Sequence, residues 1–311
     1  MPGLSRDRLI LHVGLPKAAS SALQFWCDGQ RERLAAEGVD YPDPRSEHPM
    51  KKHHALVPEL LKGRADTLAR DVAESRAPTM LVSNEGFAPR YRQFPRAAAD
   101  ALAGAAGGRA VTLFLLTRSE EGWLRSIWAQ RIINPSIQRA PLIFDTFDDF
   151  VRRSDARWLL DVEARGAEMQ AIAQADQVVR ASVEEDWFGA LLTLLGVARR
   201  PGDAPPRIHG AAPPHAIELV RRVNALPTDQ PNLVRSALLA GLQAELGTSN
   251  VTLANTARVF ATHPNEKRKQ SSSLLATALR DVDPDPGPMA ELHAAISAWA
   301  ERGSPDPPRL G

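Results

Sequence analysis

Eight residues near the amino end, Gly14-Leu15-Pro16-Lys17-Ala18-Ala19-Ser20-Ser21, carry the clearest chemistry in the chain. They follow an apolar run and precede an amphipathic one, so a strand feeds a short loop and then a helix N-terminus. Such a turn suits anions, because the loop N–H groups converge and the helix dipole favours negative charge. Gly14 fits a tight exit from the strand, where a side chain would obstruct a ligand. Lys17 offers a mobile positive charge to phosphate oxygens, and Ser20 and Ser21 add hydroxyls in the first helical turn, where serine also caps well. In an ATP-type loop, G-x-x-x-x-G-K-[ST], lysine adjoins the hydroxyl that holds magnesium. Here lysine comes early and the hydroxyls late, which disfavours a kinase or ATPase. The same residues also suit a plain strand-to-helix turn with an N-cap and an exposed lysine, so the loop alone leaves its ligand open.

Positioning these residues requires a sheet. Leu9 to Val13, Thr79 to Val82 and Ala110 to Leu116 read as buried parallel strands, and Gln177 to Arg180 as a fourth, shorter run. The first leads into a helix from about Ser20 to Glu37, closed by Gly38. The third ends at Thr117-Arg118 and leads into a helix through Trp123, Ile127 and Trp128. The fourth precedes a helix through Trp187, Leu191 and Leu195 that stops at Gly196. Strands alternating with helices predict an α/β fold, a P-loop-NTPase-like parallel sheet flanked by helices. Ligands of such sheets lie beyond the carboxyl ends of the strands, and Lys17, Ser20, Ser21, Glu85 and Arg118 all fall there. His12, Trp123 and Trp128 read as packed residues. Residues 201–214, rich in Pro, Gly and Ala, read as a surface connection, with helical patterns following at 215–246, 272–280 and 288–301. The expected organisation is one domain over 1–302, with an α/β core at about 8–200, a helical C-terminal cap at about 214–302 and a disordered tail at 303–311.

The 311 residues carry 38 Lys+Arg against 37 Asp+Glu, a formal charge of +1. Nothing therefore pulls the whole chain toward nucleic acid or anionic lipid, and any anion site is local. The single cysteine, Cys27, excludes an intramolecular disulfide and fits a reducing compartment. No run approaches the ~20 apolar residues of a transmembrane segment, and the strand-like Leu9 to Val13 leaves no room for a secretory signal. A cytoplasmic protein is expected. No spacing of His, Cys and carboxylates implies a metal.

Residues His12-Val13-Gly14-Leu15-Pro16-Lys17-Ala18-Ala19-Ser20-Ser21 fit the pattern H-[IV]-G-x-x-K-[TA]-[GA]-[ST]-[ST], the 5′-phosphosulfate loop of many sulfotransferases. Ala18 and Ala19 stand where Thr and Gly are more usual. The likeness continues through Ala22-Leu23-Gln24, Arg31, Leu34 and Gly38-Val39-Asp40-Tyr41-Pro42. Over about residues 8–225 the chain thus resembles the bacterial, carbohydrate-acting members of the sulfotransferase superfamily. That resemblance implies 3′-phosphoadenosine-5′-phosphosulfate (PAPS) as sulfuryl donor, 3′-phosphoadenosine-5′-phosphate (PAP) as product and a carbohydrate or glycolipid hydroxyl as acceptor. It implies that Gly14, Lys17, Ala18, Ala19, Ser20 and Ser21 bind the donor.

The family also holds the 3′-phosphate with an arginine at the end of a central strand and a serine eight residues later, which Arg118 and Ser126 match. Arginine supplies a planar fork for phosphate. The plainer readings are a salt bridge from Arg118 to Glu120 or Glu121, and a small packed residue at Ser126. Catalytically, Lys17 would stabilise the leaving oxygen. Glu85 is the first candidate for the base that takes the acceptor proton, and His53 and His54, in Lys51-Lys52-His53-His54, are its rivals. Glu85 could instead complement a helix dipole, and the histidines could sit in a solvated basic loop. Residues 207–212 lack the Asn-x-Ser that many relatives carry there. The alternative function is a catalytically degenerate nucleotide-binding relative serving as an interaction module.

Overall fold

A computed structural model describes residues 7–44, 51–133, 145–153, 160–206, 212–247 and 251–302. The tail at 303–311 and most of the segment at 207–212 lie outside the described residues. The chain falls into two compact units, one of residues 1–123 and 155–206, the other of residues 124–154 and 207–311.

The first unit is α/β. Strands β1 (Arg8–His12), β2 (Val39–Asp40), β3 (Thr79–Ser83), β4 (Ala110–Thr117) and β5 (Gln177–Ser182) form one parallel sheet in the order β2-β3-β1-β4-β5. Leu9 pairs with Met80 on one side and with Val111 on the other. Successive side chains of a strand point to opposite faces. Leu9, Ile10 and Leu11 are all at most 1% exposed, so both faces of the central strand are covered. This is the parallel α/β architecture that the alternating pattern predicts. β2 has only two residues, too few to leave a periodic signal.

The helix expected over 20–37 is two helices, α1 (Ser20–Gly29) and α2 (Arg31–Ala36). The break falls at Gln30, with φ −114°, directly after Gly29, a poor helix former. Helices α3 (Leu56–Leu60), α4 (Asp66–Glu74) and α5 (Ala97–Ala105) follow, then α6 (Glu120–Ile133) and α7 (Phe147–Arg153). In α8 (Val162–Ala173) and α9 (Trp187–Leu195) an aspartate opens the helix: Asp161 accepts from Ala164 N–H and Asp186 from Gly189 N–H. From β1 the chain turns toward β2 on one flank, and from β4 toward β5 on the other. The connections therefore diverge between β1 and β4, the switch point at which open α/β sheets place ligands.

The second unit is helical among its described residues. It holds the later part of α6, then α7, α10 (Pro214–Ala225), α11 (Pro231–Leu246), α12 (Val251–Ala261), α13 (Asn265–Arg280) and α14 (Pro288–Glu301). The helical stretch expected over 215–246 is split because Pro227 and Pro231 lack the N–H a continuous helix needs. Pro231 instead occupies the first turn of α11, where no bond is lost. Ala237, Leu238, Leu239, Ala240 and Leu242 are each at most 2% exposed, and α10, α12, α13 and α14 pack around this central helix. A Cβ on Gly241 would stand 3.1 Å from the Trp299 ring and 3.3 Å from Ile296 Cδ1, so glycine sets how closely α14 approaches. Arg235, buried nearby, donates to the Ile132 carbonyl, which Asn224 also reaches at 3.4 Å. Burial lowers the Arg235 pKa to about 10. Among the described residues no helix is long and apolar enough to cross a membrane.

Candidate functional site

The loop after β1 leaves the sheet at the switch point. Val13 N–H donates to Phe114 O and Leu15 N–H to Leu116 O, both at 3.0 Å, so the chain stays bonded to β4 as it exits. Trp123, at the start of α6, donates its indole N–H to the Pro16 carbonyl at 2.7 Å, and Arg118 Nη1 reaches the Lys17 carbonyl at 3.3 Å. Residues following β4 thus clamp the loop from outside. Lys17 (φ 67°) and Ala19 (φ 57°) are left-handed with Ala18 at ordinary φ between them. Such alternation turns successive N–H groups toward one side, the geometry of an anion-binding nest. For a residue with a Cβ the left-handed conformation costs roughly 1–2 kcal/mol, which a glycine at position 19 would avoid. The loop holds that strain all the same, as functional sites do.

Two details differ from expectation. The N-cap of α1 is Ala19, with no side-chain cap, so neither Ser20 nor Ser21 caps the helix. The first-turn N–H groups consequently stay open: among the described residues those of Lys17, Ala19, Ser20 and Ala22 meet no acceptor. Ser20 Oγ is buried without a partner too. Gly14, for its part, answers an internal need. A Cβ there would stand 2.7 Å from His12 Nε2 and 3.2 Å from Leu116 Cβ, so glycine makes room for the buried imidazole and for β4.

Lys17 and Arg118 converge on this loop, both half-buried. Burial lowers the Lys17 pKa, and the Arg118 charge lowers it further. Neither side chain pairs with a carboxylate among the described residues, so the expected alternative of an Arg118 bridge to Glu120 or Glu121 is not formed. Arg118 Nε is buried and has no partner among the described residues. Two like charges held side by side in a partly desolvated place repel each other, and an anion between them reverses the sign of the interaction. Ser126, on α6, is half-buried and belongs to the second unit.

Glu85 lies just past β3, the other neighbour of β1. Its Oε1 receives Lys52 Nζ at 2.9 Å and its Oε2 receives Gln24 Nε2 at 2.8 Å. Burial raises the Glu85 pKa, but the Lys52 charge and the bonds from Lys52 and Gln24 outweigh it and hold the carboxyl below its usual range. Glu85 is therefore an ionised, oriented carboxylate. Gln24 also donates to Ser83 Oγ at 3.0 Å, and Ser83 Oγ lies 2.7 Å from His12 Nδ1.

His53 and His54 part company. His53 is 6% exposed and both ring nitrogens are engaged: Nδ1 accepts Ser83 N–H at 3.0 Å and Nε2–H donates to Pro42 O at 3.1 Å. Burial lowers its pKa to about 4. With Asn84, which donates to the His53 carbonyl at 2.8 Å, it fastens the 51–55 segment to the end of β3. His53 is thus a neutral brace that takes up a proton only by breaking one of those bonds, whereas His54 is half-buried beside it. The segment is not merely solvated, since Lys52 grips Glu85 and Lys51 Nζ lies 3.3 Å from Asp28.

Gln24, Lys52, Ser83 and Asn84 escaped the sequence reading as site residues. Gln24 was legible in principle. It is a polar residue on the buried face of α1, one turn from Ser20. Lys52 was not, because its partner lies 33 positions away. A cavity of about 570 Å³ opens at the opposite, amino end of the sheet, where Asp7, Val72, Gly107 and Arg109 line it. Its one strong cation, Arg109, is spent on the Ser75 and Ala77 carbonyls. Among the described residues no three His, Cys, Asp or Glu side chains gather as metal ligands. Compared with family models, with curated proteins and with solved structures, the chain finds no match.

Proposed function

We propose that the chain is a sulfotransferase that moves a sulfuryl group from PAPS to a hydroxyl of a carbohydrate or glycolipid. One observation carries the reading: two cations without carboxylate partners, Lys17 and Arg118, meet on a left-handed loop with open amides at the β1/β4 switch point. That arrangement is built for a multiply charged anion. The choice of PAPS among such anions rests on the resemblance of residues 12–21 to the 5′-phosphosulfate loop and on the Arg118–Ser126 spacing. In this reading the loop amides, Lys17 and Ser20 hold the 5′ end, and Arg118 the 3′-phosphate.

Sulfuryl transfer forms a bond from the acceptor oxygen to sulfur, breaks the bond from sulfur to the phosphate oxygen and releases PAP. Lys17 stabilises the charge growing on the leaving oxygen. Glu85, oriented by Lys52 and Gln24, accepts the hydroxyl proton. With both nitrogens of His53 committed to the backbone, Glu85 leads and His54 is second.

Calorimetry with PAP and with ATP tests the donor site: PAP should bind more tightly, and indifference to the 3′-phosphate would sink the assignment. Transfer of labelled sulfate from PAPS to a panel of carbohydrates and glycolipids tests the activity. Glu85→Gln should keep PAP affinity and slow transfer by at least about a hundredfold, the lower end for a positioned acid or base. Binding without transfer to any acceptor would favour the interaction-module reading.

A further inference from the structure

We propose that His12 is a ligand-binding residue, a neutral imidazole in its Nε2–H form that donates from beneath the 14–20 loop to the anion the loop holds. The inference deepens the donor-site reading and rests on it. His12 ends β1, and its side chain points to the same side as position 14, two residues on. Only the missing Cβ of Gly14 leaves space for the ring, whose Nε2 would stand 2.7 Å from that carbon. The residue is 1% exposed.

Its tautomer follows from the neighbours. Glu85 is ionised and accepts only, so Gln24 must turn its NH2 toward it, and the other hydrogen of that group goes to Ser83 Oγ. Ser83 is fully buried, and the remaining neighbour of its hydroxyl is His12 Nδ1 at 2.7 Å. Were Nδ1 protonated, Ser83 would receive two donors and its own proton would have nowhere to go. Ser83 therefore donates to Nδ1, and the imidazole carries its proton on Nε2. Burial keeps the ring neutral, with its pKa lowered to about 4. Among the described residues Nε2 has no partner, and neither has Ser20 Oγ. Both residues are more than nine-tenths buried, and they flank the loop with the open amides, His12 at the end of β1 and Ser20 at the start of α1. A buried donor without an acceptor is unfavourable within the protein itself. A bound oxyanion satisfies it, and a neutral donor adds no third cation beside Lys17 and Arg118.

Two-bond proton–nitrogen NMR on the intact, ¹⁵N-histidine-labelled protein reads the tautomer of each of the eight histidines, and His12→Phe identifies the His12 signals. The expected result is an Nε2–H imidazole at pH 7 whose Nε2 signal shifts with PAP or inorganic pyrophosphate, together with the loop amides. His12→Phe should weaken PAP binding about tenfold, the loss of one hydrogen bond. Because that variant also leaves Ser83 without its acceptor, Ser83→Ala gives an independent check: it frees Nδ1 and should admit the Nδ1–H form. An Nδ1–H imidazole in the unaltered protein, or a His12 signal that stays still while the loop amides move, would overturn the assignment. If no phosphate ligand moves the loop amides, the donor-site reading fails, and the role of His12 with it.

Discussion

Replacing Lys17 with methionine separates two effects that the geometry sets against each other. Methionine keeps a long flexible stem and a Cβ at φ 67°, so backbone strain in the loop is unchanged. What disappears is one charge. A hydrogen bond from a charged group contributes about 1.5–3 kcal/mol, so PAP affinity should fall roughly ten- to 150-fold. In the empty protein the same charge is unwelcome, since burial and the Arg118 charge both disfavour it. The variant should therefore unfold no earlier than the parent, and later at low ionic strength, where the repulsion from Arg118 is least screened. Calorimetry reads the first effect and thermal unfolding without ligand the second. A PAP affinity within about threefold of the parent would refute the loop as the anion site. A fall of more than about 3 °C in Tm, roughly 1 kcal/mol for a chain of this size, would show that Lys17 stabilises the protein by itself.

Gly14→Ala places a Cβ 2.7 Å from His12 Nε2, so it should destabilise the protein by about 1–3 kcal/mol in chemical denaturation; a neutral outcome would mean that the ring moves freely. Ala19→Gly relieves a left-handed alanine worth roughly 1–2 kcal/mol, against about 0.4–1 kcal/mol lost through the more flexible unfolded chain. Stability should be equal or slightly higher, and a clear loss would show that the alanine methyl packs usefully. Acid denaturation has a definite sign. His12 and His53 are held near pKa 4 against 6.5 when unfolded, so between these values the unfolded chain binds protons that the folded protein does not. Stability should rise with pH across about 4–6.5, and up to roughly 3 kcal/mol per ring is lost on going from pH 7 to below 4. Urea titrations in the parent and in His12→Phe check this, the variant showing the shallower slope; parallel slopes would refute it.

How much was legible differs from residue to residue. Strands β1, β3 and β4 were readable because each is an apolar run buried over nearly its whole length, whereas β5, part-exposed at the sheet edge, was readable from its short Val178-Val179 run ahead of a helical pattern. β2 was not, since two residues carry no period. The place of the 14–21 turn between β1 and α1 was readable, but its handedness was not. Nothing in Lys-Ala-Ala announces two left-handed residues, because the contacts that hold the loop, among them those from Trp123 and Arg118, come from about a hundred positions away.

Sequence by itself determined the parallel α/β class, the place of the loop after the first strand, and the set of polar residues at strand ends. These follow from local periodicity and from the rule that such sheets bind beyond their carboxyl edge. Tertiary structure alone decided which of those residues act together. It committed His53 to the backbone, turned Glu85 into a carboxylate gripped by Lys52 and Gln24, and left Lys17 and Arg118 near each other with no carboxylate partner among the described residues. The physical reason is range. Burial, pairing and pKa depend on distances of a few ångströms between side chains that the chain brings together from far apart, and no local pattern encodes those distances.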